Sequence, residues 1–262
     1  MTSATAAHTE TTIQVAGKDV RLLQGGSGPP AVFLHHSTGN PGWLPVHELL
    51  AASFSLTVPD LPGYGQSARP EWAREPRDIG ILANRILDHL DLDGVTLIGA
   101  GLGGFIASEM AVMNQSRLKA LVLIGSAGLQ PAEGEIADQM LVDFAEYMKA
   151  GFRDDATFEH VFGADVDPAI KSLWDFSREM TARITWKPYM FSRRLPQLLG
   201  EITVPTLAIW GSGDRVVPPG VGRQFVDAIP GARLELISGA GHLVELEEPE
   251  RVAQLVKAHA GA

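Results

Sequence analysis

The chain has 262 residues, 45% of them hydrophobic, which suits one large domain or a core carrying an inserted subdomain. A formal net charge of −10 offers no basic footprint, so neither nucleic acid nor an anionic membrane surface is expected as a partner. With no cysteine, a disulfide framework and thiolate sites are excluded.

In chain order, the opening MTSATAAHTETT is polar, lacks the apolar run of a secretory leader and reads as a loose tail, which fits a cytoplasmic protein. TIQVAGKDVRLLQGG predicts two short strands around Gly17 and Lys18. GPPAVFLHHSTGN predicts a buried strand from Ala31 to His35 ending in a polar loop, with a helix to follow near Trp43 to Ala52. FSLTVPDLPGYGQS predicts a strand from Phe54 to Val58 and then a loop rich in Pro and Gly. Asp78 is placed to cap a helix running to His89, since Ile79, Leu82, Ile86 and Leu90 recur at helical spacing. GVTLIG and LKALVLIG predict strands with a helix between them. Strands alternating with helices imply an α/β fold whose sheet is mostly parallel, doubly wound and covered on both faces.

The rhythm changes after Leu129. As far as Leu199 no strand is evident, and the segment is charged, aromatic and helix-like, with breaks near Gly151, Asp165 to Pro168, and Pro188. The α/β pattern resumes at PTLAIWGSGD, passes through a helix from Val221 to Ala228 and the strand ARLELI, and ends in a helix after Pro249. Residues 1–128 and 200–262 thus read as a core, and residues 129–199 as a helical cap of the kind that roofs a small-molecule pocket.

Two chemistries fit VTLIGAGLGG. Gly99, Gly101 and Gly104 satisfy the G-x-G-x-x-G of a dinucleotide loop. Against that, about three or four predicted strands precede the motif, and the region roughly 20 positions on, LVLIGSAGLQ, has no Asp or Glu before Glu133 to meet a ribose. Alternatively the stretch is a sharp strand-to-helix elbow of the G-x-S-x-G type, with Gly101 at the serine's place. His35, Gly101, Asp214 and His242 all fall just past predicted strand ends, where the loops of an open α/β sheet converge.

The elbow reading accounts for more of the chain. VFLHHSTG, VPDLPGYGQS, LIGAGLGG, PTLAIWGSGDRVVP and ISGAGHLVELEEPE follow one another in that order. They resemble the oxyanion strand and loop (usually written His-Gly), the D-x-x-G-x-G-x-S loop, the elbow, the acid loop and the histidine loop of α/β-hydrolases with a helical cap. The resemblance runs from about Ile13 to the C-terminus. It implies Asp214 as the acid that orients His242, His242 as the base, Leu102 and Ser37 as oxyanion N–H donors, and His35 and His36 on the oxyanion loop. It calls for no cofactor, and His35 and His36 lack a partner at ligand spacing for a metal.

Gly101 is the departure from that pattern, because without an Oγ no acyl-enzyme forms there. Three explanations stand open. The protein is a natural variant in which His242 and Asp214 activate water in the one-water space left by the missing CH₂OH. It is a small-molecule-binding protein without turnover. Or it is an engineered Ser→Gly form of an ordinary serine hydrolase. The first is expected, with a small ester, lactone or diketone as substrate, and on it a serine restored at 101 should be reactive. Ser37 and Ser126 border the pocket as substitute nucleophiles or, more simply, as turn hydroxyls. Asp60 reads as a brace for its own loop, and Glu245 to Glu250 as a solvated helix entry. Trp174, Trp186 and Tyr189 fit cap packing as readily as substrate contact. Among Arg178, Arg183, Lys187, Arg193 and Arg194, one arginine could meet a substrate carboxylate; the alternative is a solvated helix face.

Overall fold

The structure is a computed structural model that describes residues 8–261. Eight strands, β1 (Thr9–Val15), β2 (Lys18–Gly25), β3 (Pro30–Leu34), β4 (Ser55–Pro59), β5 (Val95–Ala100), β6 (Leu118–Ile124), β7 (Thr206–Gly211) and β8 (Arg233–Ile237), form one sheet in the order β1-β2-β4-β3-β5-β6-β7-β8. The β1–β2 and β2–β4 pairings are antiparallel, and every pairing from β4 through β8 is parallel. The predicted mostly parallel α/β sheet is therefore the observed one. The first strand begins at Thr9, paired with Gln24, so the expected tail fails for Thr9 to Thr12; residues 1–7 lie outside the described residues.

The central strands are buried on both faces. On β6, Leu121 and Leu123 join one core while Val122 and Ile124 join the other, the period-2 alternation of a sheet covered on both sides. One face packs the helices α2 (Pro76–His89), α3 (Leu102–Met113) and α7 (Pro219–Ala228); the other packs α1 (Pro45–Ala51) and the C-terminal helix. Helix α2 (Pro76–His89) starts after Glu75, with Pro76 in its first turn. Asp78 is not its N-cap but its third residue, and its carboxylate accepts the Arg74 and Glu75 N–H groups. Helix α3 (Leu102–Met113) leaves β5 directly.

Between β6 and β7 the chain builds α4 (Phe144–Ala150), α5 (Asp155–Phe162) and α6 (Pro168–Thr185) and no strand. Each opens on an aspartate, Asp143, Asp154 and Asp167, whose carboxylate accepts a first-turn N–H. These helices lie over the carboxyl ends of the strands. Thr181 on α6 donates to the Ser37 carbonyl, and the Gly151 carbonyl, just past α4, accepts the N–H groups of His242 and Leu243. Helices α7 (Pro219–Ala228), α8 (Val244–Glu247) and α9 (Pro249–Ala260) complete the fold.

The turn from β5 into α3 depends on close backbone approach. Gly101 has φ +55° and ψ −114°, a conformation that L side chains rarely adopt. A Cβ on Gly99 would stand 2.3 Å from the Gly103 carbonyl oxygen, and one on Gly103 would stand 2.2 Å from that of Leu34. A Cβ on Gly104 would meet Ser126 Oγ at 2.5 Å. These glycines face protein, not a cradle for a pyrophosphate, which removes the dinucleotide reading. Because the Leu34 carbonyl belongs to β3 and cannot retreat, Gly103→Ala should cost about 3 kcal/mol of stability, the upper range for overpacking. Urea unfolding at equilibrium measures that loss, and an unchanged midpoint would contradict the packing described.

Candidate active site

The turn after β7 presents Asp214. Its Oδ1 accepts the N–H groups of Val216 and Val217, each at 2.8 Å, and its Oδ2 lies 2.9 Å from His242 Nδ1. One oxygen closes the turn while the other holds the histidine, so a structural and a chemical use coexist in one side chain. His242 is 4% exposed and fixed by its own N–H, which donates to the Gly151 carbonyl at 2.7 Å. The carboxylate takes the Nδ1 hydrogen, which leaves Nε2 bare as a base. Burial works against the imidazolium and is the largest single influence. The charge and hydrogen bond of Asp214, helped by the charge of Glu245, together outweigh it and raise the His242 pKa above 6.5.

Of the expected N–H donors, Leu102 is the first residue of α3, where no intrahelical acceptor exists. Neither its N–H nor that of Ser37 donates to any group among the described residues. The Ser37 hydroxyl donates to Gln139 Oε1 at 3.0 Å, and the Ser126 hydroxyl to the Ala127 carbonyl at 2.7 Å. Both are engaged as turn and packing hydroxyls.

The two histidines after β3 part company. Leu61 N–H donates to His35 Nε2 at 3.0 Å, so the ring hydrogen is on Nδ1, which donates to the His36 carbonyl at 2.7 Å. Burial chiefly lowers the His35 pKa. With both nitrogens spent on backbone, His35 braces the loop and offers a ligand nothing. His36 turns the other way. A Cβ on Gly101 would stand 2.3 Å from His36 Nδ1, so this imidazole fills the space in which one water was expected. A serine at 101 would require this imidazole to move.

The acidic run is the clearest correction. Glu245, expected to be solvated, is 2% exposed, and its Oε1 lies 2.9 Å from His36 Nε2. The Glu247 side chain is out of solvent too, accepting the Gly241 N–H at 2.9 Å and pairing with Arg153. It thereby ties the histidine loop to the segment after α4. Asp60 does brace its own loop, accepting from Gln66 N–H and facing Arg21. Gln139 and Tyr147, which sequence reasoning passed over, lie buried against this site.

Two small cavities lie near these loops, and the smaller one reaches His242. One of about 10 Å³ is lined by His36, Ser37, Tyr147, Met148, His242 and Leu243. Another of about 30 Å³ lies behind His36, with Asn40, His47, Trp174 and Glu245 among its walls. Arg183, Lys187, Arg193 and Arg194 line a separate open cleft of about 400 Å³ that includes neither His242 nor Asp214. Arg178 stacks over Phe144 at 4.3 Å and donates to the Val142 carbonyl. No arginine of the expected group therefore reaches the pair, and polar convergence rather than volume marks the site. Trp174 is buried against Phe162 in the wall behind His36, Tyr189 accepts the Gln139 N–H, and Trp186 is exposed.

A family model described as alpha/beta hydrolase fold matches residues 30–249. The chain is 27% identical over 256 residues to a 2-hydroxy-6-oxononadienedioate/2-hydroxy-6-oxononatrienedioate hydrolase of Cupriavidus pinatubonensis, covering 92% of this chain and 86% of that protein. It is 29% identical over 261 residues to a 2-hydroxymuconate semialdehyde hydrolase of Pseudomonas sp. CF600, covering 93% and 91%. Among solved structures it is similar to a 2-hydroxy-6-oxo-6-phenylhexa-2,4-dienoate hydrolase of Rhodococcus sp. RHA1, at 21% identity with a TM-score of 0.78 and coverage of 98% and 100%. The chain belongs to the α/β-hydrolase fold family. Among the described residues no helix is long and apolar enough to cross a membrane.

The raised His242 pKa carries a sign. The folded protein holds this proton more tightly than the unfolded chain, so its contribution to stability is complete below about pH 6.5 and is lost as pH rises through the folded value. In an NMR titration His242 should change charge above pH 6.5, and Asp214→Asn should move that midpoint down. A wild-type midpoint at or below 6.5 would contradict the Asp214 contact.

Proposed function

We propose that this α/β-hydrolase-fold chain is a serine-less hydrolase of a small ester, lactone or diketone, with water as the nucleophile. The reading is carried by a single observation: His242, held by Asp214, keeps a bare Nε2, and its ring meets the His36 imidazole that stands against the side-chain-less residue 101. In the reaction His242 Nε2 takes a proton from water as the water oxygen bonds to the carbonyl carbon. The undonated N–H groups of Leu102 and Ser37 receive the oxyanion. The bond to the leaving group then breaks, and the proton passes from His242 to the departing oxygen or carbon. The names of the relatives, hydrolases of 2-hydroxy-6-oxo dienoates, favour the ketone members of this class, for which the broken bond is C–C.

On this reading residues 129–199 act as the cap. The cavity at His242 holds a water-sized group only, so substrate enters as α4 and α6 shift. The imidazole beside Gly101 also speaks against a simple Ser→Gly removal, since a serine there would have no room.

Turnover is tested with a panel of esters, lactones and β-diketones. Wild type should exceed the buffer rate on at least one, and His242→Ala should lose about 10²-fold or more of kcat. Wild type and variant both running at the buffer rate throughout would favour a binding protein. Met148 lines both cavities, so Met148→Ala should join them and raise kcat/KM for bulkier acyl groups relative to the smallest. An unchanged preference would place the acyl group elsewhere.

A further inference from the structure

The water-based reaction leaves a second imidazole–carboxylate pair unused. His36 Nε2 lies 2.9 Å from Glu245 Oε1, and both residues are buried, at 7% and 2% exposure. A carboxylate only accepts, so the hydrogen sits on Nε2 and His36 Nδ1 is bare. Asp214 leaves His242 Nε2 bare by the same logic. The two rings meet edge to face, 5.0 Å between centroids at 70°. Both line the cavity of about 10 Å³, which has room for one water. No hydrogen bond from another described residue reaches either bare nitrogen. The two tautomers leave two acceptors on the rings that line this space, as many as a water has hydrogens.

We propose that His36, oriented by Glu245, stands in for the absent nucleophile side chain by holding the attacking water between His36 Nδ1 and His242 Nε2. The inference rests on the hydrolase reading above and names the residue that makes it work. The water donates one hydrogen to each ring and turns one of its two lone pairs toward the carbonyl carbon. As the C–O bond forms, the O–H bond facing His242 breaks and that proton moves to Nε2. The carbonyl π pair becomes the oxyanion. When the bond to the leaving group breaks, its electron pair takes the proton back from His242. His36 neither gains nor loses a proton; it fixes the water's direction. Glu245 acts through His36 and is a positioning residue.

Residues 36 and 101 also compensate each other in size. The related pattern carries glycine after the first histidine and serine at the elbow; here histidine and glycine stand there. A fluorophosphonate reads this exchange without knowledge of the substrate. Gly101→Ser alone should label poorly, because the imidazole blocks the hydroxyl. Gly101→Ser with His36→Gly should label at least about 10²-fold faster, the cost expected of a misplaced reacting group. Equal labelling of both folded variants would overturn the inference and leave His242 aligned as described. No labelling of either would overturn the hydrolase reading and the inference with it.

Should the single variant not fold, nitrogen-15 NMR of the histidines in the wild-type protein decides. His36 with Nδ1 unprotonated and Nε2 protonated supports the arrangement, and the opposite tautomer overturns it. In Glu245→Leu the Nε2 hydrogen loses its acceptor, so His36 should become a mixture of tautomers; a single unchanged tautomer would remove Glu245 from the positioning role.

Discussion

Only one group can occupy the space above Gly101. The backbone there is held at φ +55° by the passage from a buried strand straight into a helix, and the neighbouring glycines let that helix settle on the backbone of β3 and β5. The geometry would point a side chain at 101 into the site, and His36 already fills that direction. Glycine relieves the strain of the elbow and vacates the volume at once. Much else follows from this exclusion. The imidazole brought to the elbow needs a buried acceptor, which Glu245 supplies, and Glu245 can be buried because the histidine loop folds back beneath α4.

The site is built from carboxylates out of water, and they are not equally provided for. Asp214 receives two backbone N–H groups and an imidazole. Glu247 receives Gly241 N–H, Arg153 N–H and the Arg153 guanidinium. Buried carboxylates persist in a fold when their lone pairs are met in this way. Glu245 is the exception, with His36 on one oxygen and nothing on the other. A buried acceptor left open costs stability, and such costs concentrate where a fold serves chemistry. The open oxygen belongs to a residue lining the 30 Å³ cavity, alongside Asn40 and His47, each of which also has an unpartnered buried nitrogen.

Much of the fold was legible because its signals are local. Strands alternating with helices, the helical spacing of Ile79, Leu82, Ile86 and Leu90, and glycine-rich loops at the strand ends each act within a few residues. Asp214 and His242 were legible because the loops carrying them have recognisable patterns. The acidic run after His242 was misread for the opposite reason. Nothing local distinguishes Glu245 and Glu247 from Glu248 and Glu250; burial was decided by α4 and by His36, which is 209 positions from Glu245. Similarly, the histidine at 36 and the glycine at 101 were each visible as departures. Their relation was not, because it is a contact between two loops and sequence spacing carries no trace of it.

The helices between β6 and β7 complete the physical picture. They are fastened to the site rather than laid over it. Gly151, at the end of α4, accepts the N–H groups of both His242 and Leu243, and Arg153 just beyond it pairs with Glu247 and Glu248. Thr181 of α6 holds the Ser37 carbonyl, and Tyr64 shares that threonine's hydroxyl. A displacement of α4 therefore pulls on the histidine loop, and a displacement of α6 pulls on the loop bearing His36 and Ser37. A displacement of either helix disturbs one of these bonds. In this fold the helices between β6 and β7 and the loops bearing the two imidazoles share the same few backbone groups.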